Sequence, residues 1–307
     1  MASEPTSASA EQVPNAATEG ISLGSYEELH RKCRDLFPLC FEGAKAVVQK
    51  GLSSHFQVTH TMSISQAVTG YRFGATFVGN AQATPTEAFP IILGDTDLQG
   101  NTQATVLHQM GNFRGKFQGQ VQQGLLSGSQ LSLEHRGRLS TYGLTVANPA
   151  LNGTNCQGIF VAQMLRRITR NFDVGAEYIY HREARMPGKQ TSMLSYALRY
   201  TQPNWTFSGT LASNALHLCY YHKQSEHLQF GVEFEANFKL QEANTTFAYQ
   251  IEVPDSMTLR ASCDTNWTVS AVLEKKLSKQ LPFSLGLSGW LNHVKAQGKF
   301  GVGLIIG

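Results

Sequence analysis

From Ser53 to the end of the chain, apolar and polar residues alternate with a period of two. The clearest run covers residues 228–240. Leu228, Phe230, Val232, Phe234, Ala236, Phe238 and Leu240 alternate there with Gln229, Gly231, Glu233, Glu235, Asn237 and Lys239. A β-strand sends these two sets to opposite faces of a sheet. Shorter runs repeat the pattern, as in Tyr71/Phe73/Ala75/Phe77, Val174/Ala176/Tyr178/Tyr180, Phe247/Tyr249/Ile251/Val253 and Trp267/Val269/Ala271/Leu273. Turn formers separate them, among them Asn148-Pro149, Pro187-Gly188, Gln202-Pro203-Asn204 and Pro254-Asp255. Counting in this way predicts about 18 strands after residue 53, each about 8–12 residues long.

The pattern before residue 53 is different. Ser25 followed by Glu28 forms a capping-box signature. Leu29, Cys33, Leu36 and Phe37 then share one helical face, and Pro38 interrupts it. A second helical stretch is predicted from Phe41, Ala44, Val47 and Val48, with Gly51 as its stop. Residues 25–51 therefore read as a helical segment and 52–307 as the strand-rich unit. The first 30 residues contain no Lys or Arg and are rich in Ser, Ala, Thr and Glu. Neither a secretory signal nor an arginine-rich presequence has that composition, so residues 1–24 read as a disordered tail.

Alternation does not by itself say which face meets water. No break separates two sandwiches after residue 53, and one closed barrel of about 18 strands has a lumen too wide for side chains to fill. It must then hold water, with the polar set lining it and the apolar set facing lipid. Aromatic residues near strand ends (Tyr180, Tyr200, Trp205, Tyr220 and Trp267) suit interfacial girdles. The residues thus predict an all-β transmembrane barrel. Two soluble sandwiches in tandem are the competing architecture.

Composition agrees with the barrel. Charged residues are only 15% of the chain, against roughly 25% in soluble domains. The mean hydropathy of −0.22 is compatible with it, because alternating strands average to nearly nothing. No window reaches the 18 or so apolar residues of a spanning helix. A net charge of +3 without a polybasic run gives no indication of nucleic acid. The five cysteines lack any C-x-x-C pair and read as free thiols. The sequons at Asn152, Asn204, Asn244 and Asn266 have meaning only on the secretory route.

No nucleophile elbow, phosphate loop or H-E-x-x-H motif is present, so no enzyme is predicted and no cofactor is implied. His217, His222 and His227 are spaced by five, which on strands sends successive side chains to opposite faces and speaks against a metal site. The acidic residues assigned to the polar face are Glu134, Glu177, Glu233, Glu235, Glu252, Asp264 and Glu274. Lining a lumen, they would attract cationic cargo. Arg72, Arg136, Arg199, Lys239, Arg260 and Lys276 are assigned to the same face, so the lumen is expected to be mixed. The last strand carries a further pattern at Lys299, Gly301, Leu304 and Ile306: polar, glycine, apolar, apolar.

Several longer stretches carry a resemblance to a known family: "ELHRKCRDLFP", "GLSSHFQVTHT", "PTEAFP" with "GDTDLQG", "GAEYIYHRE", "GVEFEANFKLQ", "DTNWTVSAVLEKKLSKQLP" and "FGVGLIIG". From Ser25 to Gly307 the sequence resembles the channel-forming subunit of the translocase of the outer mitochondrial membrane, within the mitochondrial porin superfamily. That resemblance implies 19 strands with the first and last parallel, and an N-terminal helix inside the pore. It implies a protein-conducting channel for unfolded precursors carrying presequences, without catalysis. It also implies a receptor subunit, small single-span subunits and membrane lipids as partners, and further copies of the channel in the complex. Lys299, Gly301, Leu304 and Ile306 fit the family's sorting signal. Ser270, in "WTVSAVLEKK", departs from the family pattern, standing where Gly is common. The alternative within the same architecture is a metabolite porin of the voltage-dependent anion channel type.

Overall fold

The computed structural model describes residues 23–66, 69–84, 87–152, 155–183, 190–254, 256–278 and 282–307. The tail proposed for residues 1–24 lies outside them up to residue 22, and Pro187-Gly188 lies outside them too. Leu23 and Gly24 are already part of the packed chain, Leu23 being buried.

Among the described residues, nineteen strands follow a single helical turn, α1 (Arg31–Arg34). They are β1 (Gly43–Gly51), β2 (Phe56–Ile64), β3 (Gly70–Thr84), β4 (Glu87–Asp97), β5 (Thr102–Met110) and β6 (Phe113–Gln122). Next come β7 (Leu125–Arg136), β8 (Ser140–Asn152), β9 (Asn155–Thr169), β10 (Phe172–Arg182), β11 (Gln190–Thr201) and β12 (Trp205–Ala212). The chain ends with β13 (Ala215–Lys223), β14 (Leu228–Asn237), β15 (Glu242–Val253), β16 (Met257–Asp264), β17 (Thr268–Lys276), β18 (Phe283–Asn292) and β19 (Gln297–Ile306).

All belong to one sheet in which each strand pairs with its sequence neighbour, and β1 pairs with β19 to close the barrel. The closing pair is parallel, running from Gly43 opposite Gly301 to Val48 opposite Ile306, whereas β1 meets β2 antiparallel. An odd number of up-and-down strands leaves the two ends of the sheet pointing the same way. Closure abolishes the free edges that an open sheet would expose.

The alternation count after residue 53 corresponds to β2 through β19. The nineteenth strand, β1, is a correction, because residues 43–51 were expected to be helical. Ala44, Val47 and Val48 satisfy a helical spacing, yet Ala44, Ala46 and Val48 also alternate with Lys45, Val47 and Gln49. The β partners on both sides, β2 and β19, supply its backbone hydrogen bonds. A short apolar run can read as either element, and here long-range pairing decides. The first helix is also shorter than expected. Ser25 N donates to Glu28 Oε2 at 3.1 Å, which is half of the capping box, but among the described residues regular helix is confined to α1.

Register across the strands sorts the chain into two faces. The apolar set is not gathered into a dry interior: Phe230 and Phe238 are 36% and 52% exposed, and Phe73, Phe77, Phe117, Phe247, Phe300 and Val302 are exposed as well. The aromatic girdle is visible as a chain of ring contacts. Tyr200 meets Trp205 at 5.3 Å, Trp205 meets Tyr220 at 6.0 Å, and Tyr220 stacks on His222 at 6.3 Å. The clustered core is small, comprising Leu23, Leu29, Leu165 and Ala197 with Tyr26 against it. It joins the N-terminal segment to the polar face of β9, β10 and β11.

Candidate functional site: the polar face and the segment docked on it

Residues directly opposite one another on paired strands share a face. One row crosses six strands: Arg167 (β9), Asp173 (β10), Arg199 (β11), Ser208 (β12), Cys219 (β13) and Glu233 (β14). The next row includes Glu235 opposite His217. Registers carry the same face to Glu177 through Gln163, Gly143 and Glu134. In the other direction they carry it to Asp264 through Thr246, and to Glu252 and Glu274 through Thr258. All seven acidic residues singled out in the sequence thus lie on one face, which was expected from their parity.

Their surroundings differ. Glu134 holds Arg136 at 3.0 Å. Glu177 accepts from Gln163 Nε2 at 2.8 Å. Glu233 lies 2.6 Å from His217 Nε2, while the more exposed Glu235 is 3.8 Å from the same nitrogen. Asp264 caps the turn into β17 by accepting from Thr268 N at 2.8 Å. Glu252 and Glu274 are exposed and make no ion pair among the described residues. Of the basic residues assigned to this face, Lys239 falls in the turn after β14 instead.

The most buried charge on this face among the described residues, Asp173, is not among those singled out from sequence. Its carboxylate is buried between Arg167 Nε at 3.0 Å and Arg199 Nη2 at 2.7 Å. Its place in the set Asp173/Gly175/Glu177 was the only signal available. Arg199 Nη2 also donates to the carbonyl oxygen of Leu23 at 2.6 Å, which ties the N-terminal segment to the wall.

Residues 23–42 follow the polar face from there. His30 Nδ1 meets Ser208 Oγ at 2.8 Å, and Lys32 Nζ donates to Thr206 Oγ1 at 3.4 Å. Cys33 Sγ approaches the carbonyl oxygens of Tyr220 and Val232 at 3.7 and 3.6 Å. Gly231 makes room for this: a Cβ there would stand 2.9 Å from Cys33 Sγ and 3.0 Å from Leu36 Cδ1. Farther on, Phe41 N donates to Ser288 Oγ at 3.0 Å, and the Phe41 ring lies over Gly286, Gly301 and Gly303. Glu42 pairs with Lys299 Nζ at 2.9 Å.

Burial sets the ionisation of the docked side chains. Loss of water, with His217 against it, lowers the His30 pKa to about 4, so that its imidazole is neutral. Burial, with the Glu177 charge nearby, holds the Tyr26 phenol well above its usual range. Burial and then Arg199 lower the ammonium of Lys32.

The C-terminal pattern divides between the faces. Lys299 and Gly301 lie on the polar face against Glu42 and Phe41, whereas Leu304 is exposed on the apolar face, which Ile306 shares. The histidine spacing behaves as its parity required. His217 lies on the polar face, and His222 lies among the girdle rings at 4.9 Å from Phe230. What spacing could not supply is His30, whose ring centroid lies 4.3 Å from that of His217.

The eukaryotic porin family model matches residues 23–303. The mitochondrial import receptor subunit TOM40 homolog of Caenorhabditis elegans is 62% identical over 285 residues, covering 92% of this chain and 94% of that protein. Homolog 2 of Drosophila melanogaster is 47% identical over 92% of this chain and 84% of its own length. The Homo sapiens homolog is 43% identical over 98% of this chain and 86% of its own. The chain belongs to the eukaryotic porin family, in the branch formed by the mitochondrial import receptor subunit TOM40 homologues.

Proposed function

We propose that the chain is the channel of a protein-import machine of the mitochondrial outer membrane, conducting unfolded precursor proteins through a pore lined by the polar face. The names of its relatives as import receptor subunits support the import role over that of a metabolite porin. One geometric observation carries the orientation of the faces. Arg136 on β7 lies 3.9 Å from Glu28, and Cys33, five residues later, reaches carbonyls of β13 and β14. Six strand spacings separate β7 from β13, an arc of about 29 Å. The five residues from Glu28 to Cys33 cover about 8 Å along a helical turn and at most about 18 Å fully extended. A segment that short can span such an arc only from its concave side. The polar face, on this reading, is the lumen, and residues 23–42 run inside it.

The acidic residues Glu134, Glu177, Glu233, Glu235, Glu252, Asp264 and Glu274 then form the path for positively charged presequences. Exposed Glu252 and Glu274 give the least compensated potential. Lys299, Gly301, Leu304 and Ile306 serve as the sorting signal, while the first two also seat the N-terminal segment. Receptor and single-span subunits, further copies of the channel and membrane lipids would meet the apolar outer face.

The test is conductance of the purified chain in planar bilayers. Cation preference and block by a basic amphipathic presequence peptide are expected. An anion-selective current that the peptide does not block would overturn the reading in favour of a metabolite porin.

A further inference from the structure

We propose that His30, His217 and Cys219 form a binding site for a thiophilic divalent metal ion, Zn²⁺ in the first instance, that fastens the N-terminal segment to the wall of β13. One ring nitrogen from each histidine and Cys219 Sγ lie within 4.8 Å of one another. Two of the three residues are enclosed, His30 being 8% and Cys219 1% exposed.

The observation that points to a ligand is an orphaned atom. His30 Nδ1 is committed to Ser208 Oγ, but His30 Nε2 is buried and has no hydrogen-bond partner. A buried ring nitrogen without a partner carries its full desolvation cost and is uncommon without a reason. The second ring nitrogen held by a hydroxyl is the arrangement that orients a ligating imidazole. His217 Nε2, which also faces Cys219 Sγ, is bonded to Glu233 Oε1 at 2.6 Å, and an ion that takes this nitrogen replaces that hydrogen bond.

The donor spacing suits the ion. Cys219 Sγ lies 3.3 Å from His217 Nε2 and 3.9 Å from Glu233 Oε1. With Zn–S near 2.3 Å and Zn–N near 2.0–2.1 Å, neighbouring donors of a tetrahedral site stand about 3.5 Å apart. Two nitrogens and a thiolate form a donor set that favours Zn²⁺ over Mg²⁺ or Ca²⁺. Glu233, displaced from His217 Nε2, turns in as the fourth donor or leaves that position to water. On binding, the Cys219 thiol gives its proton to solvent and both imidazoles ligate in their neutral form. Since His30 comes from the docked segment and the other donors from the wall, occupancy adds a cross-link between them.

The full-length barrel, folded in detergent micelles and cleared of metal with a chelator, provides the test. One Zn²⁺ per chain is expected to bind in the presence of excess Mg²⁺. Co²⁺ in its place should give a thiolate-to-metal charge-transfer band and the visible bands of a tetrahedral ion. His30→Gln and Cys219→Ser should each weaken Zn²⁺ binding by at least about tenfold, as loss of a ligand or its support does. Cys263→Ser, an exposed thiol outside the cluster, should leave binding unchanged. Equal Zn²⁺ retention by the unaltered chain and the His30→Gln/Cys219→Ser double variant would overturn the proposal. So would a Co²⁺ spectrum of the unaltered chain without the thiolate band, a result that does not depend on any variant folding.

Discussion

Arg199 bonds Asp173 at 2.7 Å and, through the same nitrogen, the backbone of Leu23 at 2.6 Å. One guanidinium therefore links a buried carboxylate of the wall to the first residue of the docked segment. Asp173 also takes Arg167, so the carboxylate is the hub on which both arginines depend.

Replacing the hub isosterically should release the segment. Asp173→Asn removes one charge from a buried cluster, a change that typically costs about 3–5 kcal/mol. We expect a lower denaturant midpoint in micelles and faster labelling of Cys33 in a chain that retains only that cysteine. Arg199→Lys keeps the charge but loses the fork that serves Asp173 and Leu23 together, and should fall between the two. Unchanged labelling in Asp173→Asn would separate this cluster from docking.

Two glycines of β19 should respond differently to the same added methyl group. A Cβ at Gly301 would stand 2.3 Å from the carbonyl oxygen of Phe41, whereas at Gly303 the nearest atom is Phe41 Cζ at 3.0 Å. Gly301→Ala should destabilise by about 1–3 kcal/mol, as overpacking does. Trimming the ring with Phe41→Ala should rescue Gly303→Ala and leave Gly301→Ala unrescued, because the backbone oxygen remains. Thermal melts of the three single and two double variants, read by circular dichroism, distinguish the cases.

The outward direction of the apolar set can be checked on one strand. Val232→Arg places a charge on the face read as lipid-facing and should cost about 2–4 kcal/mol near the bilayer midplane. Glu235→Lys, three residues away on the opposite face, is more than half exposed and should cost under about 1 kcal/mol. Folding titrations into lipid vesicles measure both. Equal penalties would reverse or abolish the two-face assignment.

Channel selectivity should follow uncompensated rather than total acidity. Glu252→Gln and Glu274→Gln should move the reversal potential toward anions more than Glu134→Gln, whose carboxylate already holds Arg136 at 3.0 Å. The difference should shrink as salt is raised, since exposed charges beyond a Debye length are screened. Reversal potentials across a salt gradient, taken at low and high ionic strength, give the comparison.

Much of this protein could be read from its sequence because strand parity is a local property. Alternation after residue 53 carried β2 through β19, the two faces and the common face of the seven acidic residues. The motifs from "ELHRKCRDLFP" to "FGVGLIIG" carried the family. Local pattern could not settle β1. Its residues fit a helix or a strand equally well, and the outcome rests on pairing with β19 at the far end of the chain. The pairing of Asp173 with two arginines, the seat of Phe41 on glycines and the meeting of His30 with His217 and Cys219 were equally out of reach. The first depends on the exact register of β9, β10 and β11, which parity alone does not fix, and the other two join residues far apart in the chain that meet only because the N-terminal segment is laid on the polar face.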